Sequence, residues 1–174
     1  MATATAKIDR NSEDFQDVTN QYAASVIESM KDDLDALHHA ENCKRKGCKR
    51  GSETRKVKGS DGKTYTQAVH ESPEAWHSEE RARQAIEEGH YGVEVRSDWH
   101  RPGDTEDSGP IEYRVTLGGG GPASRIIGEL GQWAKPETAV FQYQDWFRPW
   151  TDAQTTGEQD ETMLEWVQQL YFGE

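Results

Sequence analysis

His38, His39, Cys43 and Cys48 are the residues nearest to a metal-binding set. Imidazole and thiolate are the usual donors to zinc. Their spacing, His39-x3-Cys43-x4-Cys48, lacks the repeated Cys-x-x-Cys of a strong zinc pattern. The lysines and arginines around them would lower the thiol pKa but compete with a cation. The expectation is two free thiols in a loop, with no metal and no cofactor. Asp98, His100 and Asp145 are the nearest acid/base set, with Arg101 or Arg148 to hold an anion. No nucleophile with a base and an orienting partner can be read, so no catalytic residue is assigned.

Two aromatic loops are more suggestive. Trp99-His100-Arg101-Pro102-Gly103-Asp104 and Gln144-Asp145-Trp146-Phe147-Arg148-Pro149-Trp150 each mix indoles, a charge pair and a proline. The bland reading has the indoles capping the edge of a core while Asp and Arg brace turns. The functional reading is a partner surface, because Trp and Arg dominate interface hot spots. Its candidates are Trp99, His100, Arg101, Asp145, Trp146, Arg148 and Trp150. Gly118-Gly119-Gly120-Gly121-Pro122 follows a predicted strand but precedes another strand, not the helix a phosphate loop needs. A sharp connection, or a place where an indole lies on bare backbone, is the better expectation.

Charge is segregated along the 174 residues. The net charge of -12 divides into -5 over 1–40, +6 over 41–66, -7 over 67–110 and -6 over 111–174. The basic stretch holds Lys44, Arg45, Lys46, Lys49 and Arg50 among its cations, and Tyr65 is its only aromatic. It can touch nucleic-acid phosphates, though no stacking platform accompanies it. Glu79, Glu80, Glu87 and Glu88, with Glu71, Glu74, Asp104, Glu106 and Asp107, supply the opposite surface. DNA carries one charge per about 1.7 Å of axis, and paired glutamates on a helix can imitate part of that row. Solubility alone also explains them.

Several classes drop out. No run reaches the roughly 18 apolar residues of a membrane helix, and the start has no apolar signal region. Two cysteines make no disulfide framework, so a reducing cytoplasm is the expected location. An acidic chain of this kind repels nucleic-acid backbone on average.

The elements that must position these residues follow from periodicity. Phe15, Val18, Tyr22, Val26, Met30, Leu34 and Leu37 make one helical stripe, with Asn11 or Ser12 as its cap. The stripe must bury against the rest of the chain, a second copy or a partner, and dimerisation through it is the expectation. Residues 41–70 read as a basic flexible loop with a short hairpin at Ser60-Asp61-Gly62-Lys63. A second helix starts at Ser72-Pro73-Glu74 and stops at Gly89. Tyr91-Val93-Val95 and Ile111-Tyr113-Val115-Leu117 alternate with charged or polar residues as half-exposed strands. Ser124–Glu129 and Thr138–Tyr143 are weaker strands, and Asp160–Phe172 is a last helix. The fold class is α+β: a four-stranded antiparallel meander over residues 71–174 with a C-terminal helix on it. An amphipathic helix (1–40) and the basic loop (41–70) precede it.

Several strings then resemble a family of small acidic proteins encoded by bacteriophages and plasmids. They are Glu79-Glu80-Arg81-Ala82-Arg83-Gln84-Ala85-Ile86, Val93-Glu94-Val95-Arg96-Ser97-Asp98-Trp99-His100-Arg101-Pro102-Gly103 and Tyr113-Arg114-Val115. Gly120-Gly121-Pro122-Ala123-Ser124-Arg125-Ile126-Ile127-Gly128-Glu129-Leu130 is another. So are Gln144-Asp145-Trp146 with Pro149-Trp150-Thr151, and Leu170-Tyr171-Phe172-Gly173-Glu174. The resemblance covers about residues 79–174. One departure is Phe147-Arg148, standing where a glycine is expected. The resemblance carries over no catalytic residue. It implies a mobile-element setting, in which such proteins act by binding and blocking host defences. The expected function is therefore a non-enzymatic inhibitor of a host nucleic-acid-targeting complex, of the anti-CRISPR or anti-restriction type. Alternatives are a nucleic-acid-binding regulator using the basic loop, and a small enzyme with an Asp/His site.

Overall fold

A computed structural model describes residues 14–43, 48–51, 53–58, 63–69, 73–97 and 109–172. The expected caps Asn11 and Ser12 and the hairpin turn at 60–62 lie outside these residues. So do Lys44, Arg45, Lys46, Asp98, Trp99, His100 and Arg101.

Helix α1 spans Phe15–Asn42. Asp14 caps it, its side chain accepting a hydrogen bond from the Gln16 N–H at 2.9 Å. That carboxylate also sits at the positive end of the helix dipole. The apolar stripe does not wait for a second copy. Val18, Met30, Leu34 and Leu37 of the stripe are buried within the chain beside Ala23 and Ile27, and Phe15, Tyr22 and Val26 pack against that core partly buried. The face assigned above to dimerisation is therefore already covered, and α1 is the spine of the body.

Strands β1 (Thr54–Lys58) and β2 (Thr64–Ala68) form an antiparallel hairpin inside the basic stretch. Every residue of β1 is exposed. A short 3-10 helix, Pro73–His77, then leads into α2, Glu79–Glu88. The single helix expected from Ser72 is thus two pieces. Ser78 breaks it by accepting from the Arg81 N–H, which starts a new helix with its own cap.

The main sheet holds five strands in the order β3-β4-β5-β6-β7, all antiparallel. They are β3 (Gly92–Arg96), β4 (Glu112–Gly118), β5 (Ala123–Glu129), β6 (Val140–Gln144) and β7 (Thr151–Asp152). The meander was expected to have four strands. The fifth, two residues long, pairs Thr151 with Tyr143 and Asp152 with Gln142. Two polar residues carry no alternation to read. Helix α3, Gly157–Val167, closes the chain with a capping box between Thr156 and Gln159.

Cross-strand rows sort the sheet into two faces. Val93, Val115, Ile126 and Phe141 form one inward row. Tyr22 of α1 stacks on it, 4.7 Å from the Tyr143 ring and 6.2 Å from Phe141. Helices α2 and α3 pack against α1, and Met163, Trp166 and Val167 fill the space. The buried residues from Val18 to Phe172 form one cluster. No described helix is long and apolar enough to cross a membrane.

Candidate functional site

The loop between β6 and β7 projects an aromatic knuckle. Asp145 opens it: its Oδ1 accepts from the Trp146 N–H at 2.8 Å, and its carbonyl accepts from the Arg148 N–H at 3.0 Å. Both contacts brace a turn. Trp146 is 64% exposed and Phe147 is fully exposed. Phe147 also sits at φ +62, the left-handed region that glycine favours. A bulky side chain held there costs on the order of 1 kcal/mol or more, a strain characteristic of working sites.

The C-terminal side of the knuckle is anchored twice. The Arg148 guanidinium lies 4.6 Å from the Phe15 ring centre, at the start of α1. Trp150 stacks on the Arg125 guanidinium at 4.0 Å, on the open face of the sheet. Trp146 leans on the glycine loop between β4 and β5. A Cβ built on Gly121 would lie 2.3 Å from its ring, so only a bare backbone admits the indole. The glycine run is therefore a seat for an aromatic, with β5 following it directly.

The open face of the sheet carries a concavity of about 690 Å³. Ion pairs line it: Arg96 with Glu112, and Arg114 with Glu94 at 2.6 Å. Arg114 holds the Glu94 carboxyl below its usual range, and that pairing raises Arg114 in turn. Burial and then the neighbouring Arg114 lower Arg125. Opposite charges are matched across neighbouring strands, which pins the register of β3 on β4.

Helix α2 displays the expected acidic surface. Glu79, Glu80, Glu87 and Glu88 are all exposed, while Ala82 and Ile86 face inward. Arg83 bridges Glu79 at 3.1 Å and Glu41 of α1 at 3.0 Å, so part of the charge is spent on docking the helix. Within the basic stretch, Lys49 and Arg50 are exposed, and Arg50 lies 5.3 Å from the Trp76 ring centre.

A second cluster gathers at the end of α1. His39, Cys43, Cys48 and His77 bring their donor atoms within 4.8 Å of one another. His38, grouped with the cysteines above, turns instead to Glu165 of α3 at 3.0 Å. His77 was not expected in this set, since it comes 29 residues after Cys48. Its arrival depends on the 3-10 helix packing against α1, which no local motif announces. Burial, then Arg50 and His77, lower the His39 pKa and favour the neutral imidazole.

No family model, curated protein or solved structure matches this chain.

Proposed function

We propose that this chain is a non-enzymatic binding protein that obstructs a host nucleic-acid-targeting defence complex, in a phage or mobile-element setting. The observation that carries the reading is the Trp146–Phe147 knuckle. A fully exposed phenyl ring held in a strained backbone conformation has no role in the chain's own packing. Its neighbours Trp146, Arg148 and Trp150 have the composition of an interface hot spot. The exposed glutamates of α2 and the net charge of -12 suit a cationic partner surface, such as the groove that holds nucleic acid. The family resemblance supports the mobile-element setting.

A second reading rests on the β1–β2 hairpin. Its exposed β1 carries Arg55, Lys56 and Lys58 on a two-stranded ribbon, an element that can enter a nucleic-acid groove. Deleting the hairpin separates the two readings. Inhibition of the complex survives the deletion if the knuckle and acidic face do the work, and is lost if the ribbon does.

The direct experiment adds purified protein to host extract and measures the nuclease activity of the captured complex. A blocker gives stoichiometric capture, silencing of that activity, and affinity that falls with salt. A chain that leaves the extract with no partner, or captures one without silencing it, contradicts the proposal.

A further inference from the structure

We propose that His39, Cys43, Cys48 and His77 bind one zinc ion, which fastens the basic insertion to the helical body. The four donors come from three separate stretches of chain. His39 lies in the last turn of α1 and Cys43, four residues on, is its C-cap, so the two sit together at the helix end. The Cys43 N–H donates to the His39 carbonyl at 2.8 Å, holding the pair in register at the helix end. Cys48 lies within the basic stretch, and His77 ends the 3-10 helix ahead of α2.

The spacing of the donor atoms fits the metal. Zinc–sulfur bonds of about 2.3 Å and zinc–nitrogen bonds of about 2.0–2.1 Å put tetrahedral ligand atoms roughly 3.3–3.8 Å apart. Cys48 Sγ and His39 Nε2 are already 3.4 Å apart. The widest separation in the set, within 4.8 Å, closes by small side-chain rotations.

Ligand chemistry chooses the ion. Two thiolates and two imidazoles in a tetrahedron select zinc over magnesium, calcium or manganese, which want oxygen. Two thiolates also neutralise the charge of the ion. The site then presents no net positive charge to Arg50. Four protein donors leave no open position, so the ion is structural.

The surroundings are built to close over it. Trp76, 3% exposed, lies beside the site with its ring centre 5.7 Å from that of His39. Gly51, at φ +82, packs on that indole so closely that a Cβ there would lie 2.2 Å from it. Thus Cys48 and Gly51 bring the insertion back onto the body at one place. The hairpin beyond makes its main contacts between its own two strands. A zinc ion joining Cys48 to α1 and His77 would fix the root from which that hairpin projects.

The test uses the full chain without a histidine tag, purified reduced from zinc-replete cells. Elemental analysis is expected to find one zinc per chain in the wild type and in His38→Ala, whose ring pairs with Glu165 outside the set. Cys48→Ser and His77→Ala are expected to lose affinity by more than about 10-fold, the lower bound even for outer partners of a metal site. Should either variant unfold, cobalt(II) titration of the wild type decides alone. The proposal expects thiolate-to-cobalt charge transfer and the visible bands of a tetrahedral site. Wild-type protein with no bound metal and two titratable thiols would overturn it. So would a Cys43–Cys48 disulfide in protein taken directly from cells, or undiminished zinc in both variants.

Discussion

The indole of Trp146 lies against the backbone of Gly121, on a loop that has no room for a side chain beneath it. That contact joins the β4–β5 and β6–β7 connections into one surface at the same end of the sheet. Replacing Gly121 with Ala puts a Cβ 2.3 Å from the ring. Because Trp146 is mostly exposed, the ring can swing outward rather than compress the core. The expected stability loss is therefore at or below the low end of the usual overpacking cost, about 1 kcal/mol. The indole N–H resonance of Trp146 should shift and partner capture should weaken. A loss of 3 kcal/mol or more, at the upper end of overpacking costs of about 1–3 kcal/mol, would show that the loop is part of the core instead.

Helix α1 belongs to the same cooperative unit as the sheet. Ile27 is 4% exposed and Ile126 fully buried. Ile27→Ala and Ile126→Ala should each cost about 2–5 kcal/mol in urea unfolding, in a single transition. A first transition that removes α1 and leaves the sheet intact would contradict this, as would early proteolytic release of residues 14–43.

Burial of His90 predicts a pH dependence of stability. Its ring meets Trp166 edge-on at 6.3 Å, and Nδ1 is buried without a hydrogen-bond partner. Burial lowers its pKa, with Glu87 opposing weakly. The unfolded chain therefore takes up the proton more readily than the folded one. This contribution to stability is complete above the ordinary histidine value and is lost as pH falls through it toward the depressed folded value. Thermal melts across that window should show stability falling with acidification, and less steeply for His90→Gln. An unchanged slope in His90→Gln would remove His90 from the account.

Much of this architecture is legible in the residues. Val93/Val95 and Tyr113/Val115 alternate against charged neighbours, and β3 and β4 appear where that alternation lies. The α1 stripe shows in its period of three and four. Periodicity says that a face is buried but not against what, which is why the covering by the sheet and by α2 and α3 emerges only in three dimensions. Ser78 is a residue whose capping role competes with a continuous helix, and capping prevails. His77 joins Cys48 through packing between distant segments, so spacing rules built on contiguous motifs pass over it. The left-handed backbone of Phe147 is not legible, because nothing in a phenylalanine side chain announces a positive φ.

That conformation sets function against stability at a single position. Phe147 buries nothing, so Phe147→Gly relieves the left-handed strain without opening a cavity. The variant should be more stable than the wild type by about 1 kcal/mol. In the docking account it also loses the anchor ring, and a hot-spot side chain is worth at least about 2 kcal/mol of affinity.

The decisive measurement is the affinity of the captured host complex for wild-type protein and for Phe147→Gly, titrated side by side at one salt concentration. Binding to Phe147→Gly is expected to be weaker by about 30-fold or more, the equivalent of that hot-spot loss, in a protein that melts higher. Equal affinity for the two proteins would contradict it, because a partner indifferent to Phe147 does not dock on the knuckle.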